Sequence, residues 1–298
     1  MQSKIIIPPP LKPGDLLRVI APSGTLRELE PFERGVKIWR DRGYRVEVIP
    51  EIDDRWGYLA GKDKDRRDRL KLAWEDAECK GILSARGGFG STRILEDWSW
   101  MQENPKWLIG FSDITALLWS LYKVGISGVH APVLTTIATE PEWSIQRLFD
   151  WVEGRLIGEL KGNGWGSGVV SGVLLPANLT VATHLLCTSY QPKFDNVILA
   201  IEDVGEAPYR IDRMLTQWRM SGILAKVKGI AVGRFSQCEV PTNIPSFTCE
   251  EVLHERLSNL NIPIVSELPF GHDGCNASLP VGVMATLDGN NGLLIVSS

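Results

Sequence analysis

An α/β fold in two domains is what the sequence predicts, and three observations carry it. Through the first half of the chain, short apolar runs alternate with helix-like stretches, which favours a parallel sheet with helices on its faces. In the second half short strands dominate, which fits a smaller, mixed, β-rich domain. The two textures are separated by a glycine-rich, weakly apolar stretch, GRLIGELKGNGWGSG, from Gly154 to Gly168. The expected boundaries are residues 1–153 for the first domain, 154–168 for a linker and 169–298 for the second.

Leu16 to Ala21 reads as the first strand, Glu30 to Gly43 as a helix stopped by glycine, and Arg45 to Ile49 as a strand again. The charged stretch from Lys64 to Cys79 is expected to be helical, and Gly81 to Ala85 is a short buried strand that leads into a glycine loop. Trp107 to Gly110 repeats that strand role, and a helix from Asp113 to Val124 follows and ends at Gly125. Past the linker, strands are expected at Gly168 to Leu175, Asn196 to Val204, Gly229 to Phe235, Ile264 to Leu268, Val283 to Leu287 and Leu293 to Val296. Helices are expected near Leu179 to Leu186, Ile211 to Ser221 and Cys249 to Leu260. No internal repeat is visible.

With 298 residues, 44% hydrophobic and 23% charged, the chain has ordinary globular usage and enough length to bury a core. Its formal charge is -4 and its pI about 5.7. Basic and acidic residues are interleaved, as in Lys62-Asp63-Lys64-Asp65-Arg66-Arg67-Asp68, which argues against nucleic acid as a partner. Met1 to Pro10 holds only three consecutive apolar residues before a proline run, too few for a signal-peptide core. No stretch approaches the roughly 18 apolar residues of a membrane span. The five cysteines are odd in number and never spaced C-x-x-C, so neither a disulfide framework nor a zinc site is indicated. They read as reduced, mostly packing residues in a cytoplasmic protein.

Two strand-to-helix turns stand out, because free backbone N–H groups collect there. In Gly110-Phe111-Ser112-Asp113 an apolar strand meets a helix, and a serine on such a turn exposes its Oγ as a nucleophile must. The competing reading is a helix N-cap. In Arg86-Gly87-Gly88-Phe89-Gly90 adjacent glycines let the backbone approach a substrate and aim N–H donors at it, as an oxyanion hole requires. A plain turn is the other reading, and a nucleotide-phosphate loop also competes there, but the dinucleotide fingerprint needs glycine where Arg93 stands, and no Walker lysine follows.

A serine nucleophile needs a base, usually histidine, oriented by a carboxylate. Among four histidines, His254 lies in a charged helix and reads as solvated surface, and His184 in an apolar helix reads as packing. His130 could line a pocket or cap a strand. His272, in the loop Pro-Phe-Gly-His-Asp-Gly, is the preferred base. Glu202 or Asp203 fits the carboxylate, since an otherwise apolar strand ends in these two acids, a costly placement unless they are paired or near solvent. Capping of the following turn, or a structural pairing with Arg210 or Arg213, is the alternative. The order Ser112, Glu202, His272 is that of α/β-hydrolases, but Ile114 replaces the last glycine of the G-x-S-x-G elbow. Metal chemistry has little support, because His254-Glu255 lacks the second histidine of H-E-x-x-H.

Together these pieces resemble the LD-carboxypeptidase family, which includes muramoyltetrapeptide carboxypeptidases and microcin-C self-immunity peptidases. The resemblance runs through Leu11-Lys-Pro-Gly-Asp15, Ile20-Ala-Pro-Ser23, Gly57-Tyr-Leu-Ala-Gly61, Ala85-Arg-Gly-Gly-Phe-Gly90 and Gly110-Phe-Ser-Asp-Ile-Thr-Ala116. It resumes at Ile201-Glu-Asp-Val204, Tyr209-Arg-Ile-Asp-Arg213 and Pro269-Phe-Gly-His272. It implies that Ser112 is the nucleophile, His272 the general base and Glu202, rather than Asp203, the orienting carboxylate, with no metal or cofactor. It also implies an oxyanion hole from the backbone N–H groups of Gly88 and Asp113, and a site between a flavodoxin-like N-terminal domain and a β-rich C-terminal one. Family members are commonly dimers, so a homodimer is expected. One departure is Pro176-Ala177-Asn178-Leu179-Thr180, where the family usually has two glycines before Asn-Leu-Ser.

The implied substrate is a free murein tetrapeptide that loses its terminal D-alanine, with Arg86 as the nearest candidate for the terminal carboxylate. A structural ion pair is the other reading of Arg86. The chain lacks an evident long aromatic insertion for a nucleotide-bearing substrate, which favours the murein branch over the microcin branch. Two further classes stay open: a nucleotide-dependent enzyme using the loop from Arg86 to Gly90, and an inactive binding protein.

Overall fold

Strands covered on both faces by helices need apolar residues at nearly every position, and the central strands of the first sheet of the computed structural model are built from such runs. The structure describes residues 5–239 and 245–297. Five parallel strands, β1 (Leu16–Ile20), β2 (Arg45–Val48), β3 (Cys79–Ser84), β4 (Trp107–Gly110) and β5 (Val129–His130), lie in the order β2-β1-β3-β4-β5. That is the flavodoxin-like order, whose winding reverses between β1 and β3. Helices α1 (Leu29–Asp41), α2 (Asp63–Glu75), α3 (Ser91–Leu95) and α4 (Thr115–Lys123) make the crossovers, and α5 (Leu134–Ile137) and α6 (Glu142–Val152) follow β5. One continuous core joins Leu17, Val19, Leu83 and Ile109 of the sheet to Val36 and Trp39 of α1 and Leu148 and Phe149 of α6.

The helix expected as far as Cys79 stops at Glu75. Asp76 takes an extended conformation and its carboxylate accepts the Glu78 N–H at 2.9 Å, so a side chain closes the turn that frees Cys79 to begin β3.

The second sheet mixes directions. Strands β8 (Val169–Asn178), β9 (Val197–Val204), β10 (Gly229–Ser236) and β11 (Ile264–Ser266) run parallel, and the hairpin of β13 (Met284–Asp288) and β14 (Leu293–Val296) adds antiparallel strands beside β8. The glycine-rich stretch expected to be a linker holds β6 (Leu160–Lys161) and β7 (Asn163–Gly164), which pair with β14 and β11 at opposite edges of the sheet. Gly162 alone separates them, so the sheet curls until its edges meet. Helices α7 (Leu179–Leu185), α8 (Pro208–Met220) and α9 (Cys249–Leu257) accompany this sheet. Asn178 caps α7 by accepting the Val181 N–H at 3.1 Å. Thr248 and Glu251 form a capping box at α9, and α8 begins at Pro208, three residues before the expected Ile211.

By contact the chain forms two units, Met1–Ile157 with Thr188–Pro192 and Ala277–Gly282, and Gly158–Cys187 with Lys193–Asn276 and Val283–Ser298. Two late segments thus belong to the first unit. The reason for one is β12 (Leu279–Pro280), which pairs antiparallel with β5; the reason for the other is Tyr190, whose hydroxyl donates to the Trp98 carbonyl at 3.1 Å. Cys79 and Cys238 are buried, Cys249 and Cys275 partly so, and Cys187 is exposed, in keeping with cysteines expected to be mostly packing residues. Among the described residues no helix is long and apolar enough to cross a membrane.

Glu153 ties the end of α6 to the end of α1. Arg42 donates to its two oxygens at 2.8 Å each, Tyr44 donates at 2.8 Å, and Arg155 lies at 2.6 Å. Burial by itself would raise this carboxyl, but the donors outweigh it and hold its pKa at about 2. A depressed carboxylate stabilises the fold above its ordinary pKa of 4.5, and that increment disappears as the pH falls toward 2. Glu153→Gln is therefore expected to cost about 1.5–3 kcal/mol at pH 7 in urea unfolding, and the difference from wild type should vanish in strong acid.

Candidate active site

In an open parallel sheet, chemistry gathers at the C-terminal strand ends. β4 ends at Gly110, the chain turns through Phe111, and Ser112 opens a single 3-10 turn, Ser112–Ile114, that runs into α4. Ser112 has φ +61°, a left-handed conformation that is uncommon for a residue with a side chain. Such strain persists only where neighbours over-determine it. The N-cap positions of the 3-10 turn and of α4 are Phe111 and Ile114, so Ser112 is not a helix cap.

The glycine loop after β3 lies directly against this turn. A Cβ on Gly87 would stand 2.9 Å from both Cβ and Oγ of Ser112, and Gly88 has φ +111°, so neither position accepts a side chain without displacement. Gly87 accepts the Gly24 N–H at 3.2 Å. The buried Asp113 carboxylate accepts the Ser23 hydroxyl at 2.6 Å and the Ser91 N–H at 2.8 Å, both on Oδ2. Fully buried Arg66 donates to Gly90 O at 2.8 Å and also bonds Pro22 O and Asp63. The chain after β1, the glycine loop and the Ser112 turn are thereby one hydrogen-bonded body. Burial raises the Asp113 pKa, and the bonds from Ser23 and Ser91 and the charge of Arg66 act against it. The Arg86 guanidinium donates to Thr25 O at 2.6 Å and lies 3.5 Å from Glu28, so the structural ion pair exists.

In the second unit, β9 is buried up to its last residue, Val204, and just before that residue carries Glu202, which has no exposure, and Asp203. The two acids part company. Glu202 Oε2 is 2.6 Å from His272 Nδ1. Asp203 instead accepts the N–H and hydroxyl of Thr180 at 2.8 and 2.7 Å and Asn178 Nδ2 at 2.9 Å. Asn178 stands opposite Glu202 in the β8–β9 register, with its Nδ2 3.3 Å from Glu202 Oε1, so the Pro176-Ala177 departure simply continues β8 to its last residue. The loop bearing His272 is held against β10. Arg234 N donates to Phe270 O at 2.8 Å, and a Cβ on Gly233 would collide with that oxygen at 2.4 Å. Gly271 N donates to Asn276 Oδ1 at 3.2 Å.

Burial opposes a charge on His272. The hydrogen bond to Glu202 and the charges of Glu202, Asp203 and Asp273 outweigh it, and the pKa lies above the ordinary histidine value. The other histidines differ in place. His130 is buried inside β5, edge-on to Phe111 at 5.7 Å, and so lies within the sheet. His254 is exposed, as expected. His184 is exposed on α7 with Nδ1 2.7 Å from Thr180 O, contrary to the packing role expected of it; its apolar sequence neighbours face inward while it does not. Among the described residues no group of three His, Cys, Asp or Glu side chains is placed to hold a metal ion.

Glu202 is thus brought to His272 in one unit, and Ser112 to the glycine loop in the other; neither unit holds all three. Sequence reasoning gave no role to Ser23, Arg66, Ser91 or Asn178. Only Asn178 had a local signal, since an asparagine before Leu179 is an N-cap pattern.

Two family descriptions cover most of the chain: "LD-carboxypeptidase N-terminal domain" matches residues 17–131 and "LD-carboxypeptidase C-terminal domain" residues 171–287. The chain belongs to the LD-carboxypeptidase family. A protein of Synechocystis sp., provisionally named a carboxypeptidase, is 57% identical over 288 residues, which is 96% of each chain. The crystal structure of a muramoyltetrapeptide carboxypeptidase from Oxalobacter formigenes superposes with TM-score 0.85 at 28% identity, over 94% of this chain and 97% of that one. A microcin C7 self-immunity protein in its wild-type apo state gives TM-score 0.89 at 22% identity, over 98% and 99% of the two chains, a likeness that speaks for the fold alone.

Glu202→Gln removes the charge next to His272 while keeping the side chain's shape, so the His272 pKa should fall in an NMR titration of the histidine ring protons. Asp203→Asn should lower it less, because Asp203 reaches the ring only through its charge.

Proposed function

We propose that this LD-carboxypeptidase is a serine enzyme that hydrolyses an L,D-amide bond and releases the terminal D-alanine of murein tetrapeptides. The observation that carries the reading is the 2.6 Å hydrogen bond between His272 Nδ1 and a fully buried Glu202. A carboxylate so placed fixes the tautomer, with the proton on Nδ1 and the lone pair on Nε2. The strained turn at Ser112 and the glycine loop against it supply the two parts still needed, a nucleophile and N–H donors.

The steps follow from those roles. Ser112 Oγ attacks the carbonyl carbon and its proton passes to His272 Nε2, while the N–H groups of Gly88 and Asp113 hold the oxyanion. The tetrahedral species collapses, the amide C–N bond breaks, and the departing D-alanine nitrogen takes the proton from Nε2. Water then gives a proton to Nε2, attacks the acyl ester and expels Ser112, which recovers its proton. Glu202 holds the tautomer and stabilises the imidazolium in both halves.

The murein assignment is supported by the likeness to a muramoyltetrapeptide carboxypeptidase. A carboxypeptidase must also bind a terminal carboxylate. Arg86 engages Thr25 and Glu28 through Nη1, and we assign its other donors to that carboxylate. Arg86→Lys keeps the charge and loses the planar fork, so turnover should weaken.

D-alanine release from the free tetrapeptide, its C-terminal amide and its L-alanine counterpart tests the specificity; equal hydrolysis of all three would reject it. Ser112→Ala should lower kcat about 10⁴- to 10⁶-fold with the fold intact, and a variant keeping a tenth of wild-type turnover would reject Ser112. Because the neutral imidazole is the base and its pKa is raised, kcat/KM should climb with pH through a midpoint above 6.5 and move down in Glu202→Gln.

A further inference from the structure

We propose that the side chain of Asp113 is a positioning residue for the oxyanion hole: with Ser23 and Ser91 it latches the glycine loop to the nucleophile turn. The inference rests on the Ser112 chemistry proposed above and assigns to the Asp113 carboxylate a task separate from that of its backbone N–H.

The loop needs such a device. It runs from Gly87 to Gly90 with glycines at three of its four positions, and glycine backbone loses more freedom on ordering than any other. A displacement of about 1 Å in a donor can cost on the order of 10²-fold in rate. The loop is fastened at both ends. At its start, Gly87 O accepts the Gly24 N–H at 3.2 Å. At its end, Ser91 donates its N–H to Asp113 Oδ2 at 2.8 Å and its hydroxyl to the Asp113 carbonyl. The same Oδ2 accepts the Ser23 hydroxyl at 2.6 Å, next in sequence to Gly24. One carboxylate oxygen therefore fastens both ends to the residue that follows Ser112. Gly88, Phe89 and Gly90 hang between these anchors, and the Gly88 N–H is the one the mechanism uses.

Burial makes the arrangement stiff. Asp113, Ser23 and Ser91 are each exposed by 2% or less, so no water competes for these bonds. Arg66, at 0% side-chain exposure, donates to Gly90 O and Pro22 O and so braces the same two segments from the other side. What the latch requires is an acceptor oxygen at the Oδ2 position rather than a negative charge. Asparagine can supply that oxygen and alanine cannot.

The experiment measures two quantities for wild type, Asp113→Ala, Asp113→Asn and Ser23→Ala: the rate at which a fluorophosphonate labels Ser112, and kcat and KM for D-alanine release. Asp113→Ala should slow labelling and kcat about 10²- to 10³-fold, the cost of losing one oxyanion donor, with KM nearly unchanged. Asp113→Asn should stay within about tenfold of wild type, and Ser23→Ala should fall between them. Wild-type rates in Asp113→Ala, or equal losses in the alanine and asparagine variants, would overturn the latch. Should Asp113→Ala fail to fold, Ser23→Ala decides alone: a slowed rate with KM kept supports the latch, and a wild-type rate overturns it. A wild type that the fluorophosphonate leaves unlabelled overturns the Ser112 reading itself, and the latch with it.

Discussion

A carboxylate taken out of water costs several kcal/mol unless hydrogen bonds or an opposite charge meet it, and this chain places three at strand ends: Asp113, Glu202 and Asp203. Each is met differently. Asp113 is satisfied by a hydroxyl and a backbone N–H, with Arg66 near enough to act on it through charge. Asp203 takes its bonds from Thr180, Asn178 and its own next amide. Glu202 meets a titratable ring, His272. The neutral partners around Asp203 cannot lose a proton near neutral pH, whereas the ring beside Glu202 can, so that acid governs a protonation state and its neighbour governs a fold.

The same topological rule operates twice. In the first sheet the C-terminal ends of β1, β3 and β4 carry Ser23, the glycine loop and Ser112, three segments close in space because their strands are adjacent. In the second sheet β8 ends in Asn178, which pairs in register with Glu202 near the end of β9, Asp203 follows, and the loop of His272 returns against β10. Parallel neighbours bring their C-terminal ends to one edge, so residues 90 apart in sequence, such as Ser23 and Asp113, become hydrogen-bond partners without any long connection.

What could be read in the sequence followed the strength of local pattern. Apolar runs such as Trp107 to Gly110 and Asn196 to Val204 are strands because little else buries such runs, and the serine after one and the acids at the end of the other were visible for the same reason. The two-residue strands β5, β6, β7 and β12 carry too few side chains for any periodicity, and α6 went unread. Glycines made residues 154–168 look like a linker, although two of these short strands lie there. His184 looked like packing from its neighbours, but membership of an apolar helix does not say which side of it a residue occupies. Asp113 read as a helix residue beside a nucleophile. Its partners lie at residues 23 and 91, and no local signal links positions so far apart.

The Glu202–His272 bond also sets stability and chemistry against each other. A histidine whose folded-state pKa is raised stabilises the fold fully below its unfolded value of 6.5, and that increment is lost as the pH rises through the folded-state value. The proposed chemistry needs the neutral ring, so it would run where this contribution to stability is fading. The loss is recovered along the reaction. In the serine mechanism we propose, the ring becomes cationic when Ser112 gives up its proton, and the interaction with Glu202 strengthens as the transition state forms. An interaction that is stronger in the transition state than in the ground state lowers the barrier, whereas one equal in both does not. Under that mechanism a buried carboxylate beside a ring whose charge appears and disappears meets that condition, which gives a reason for an acid with no solvent exposure near the end of an apolar strand.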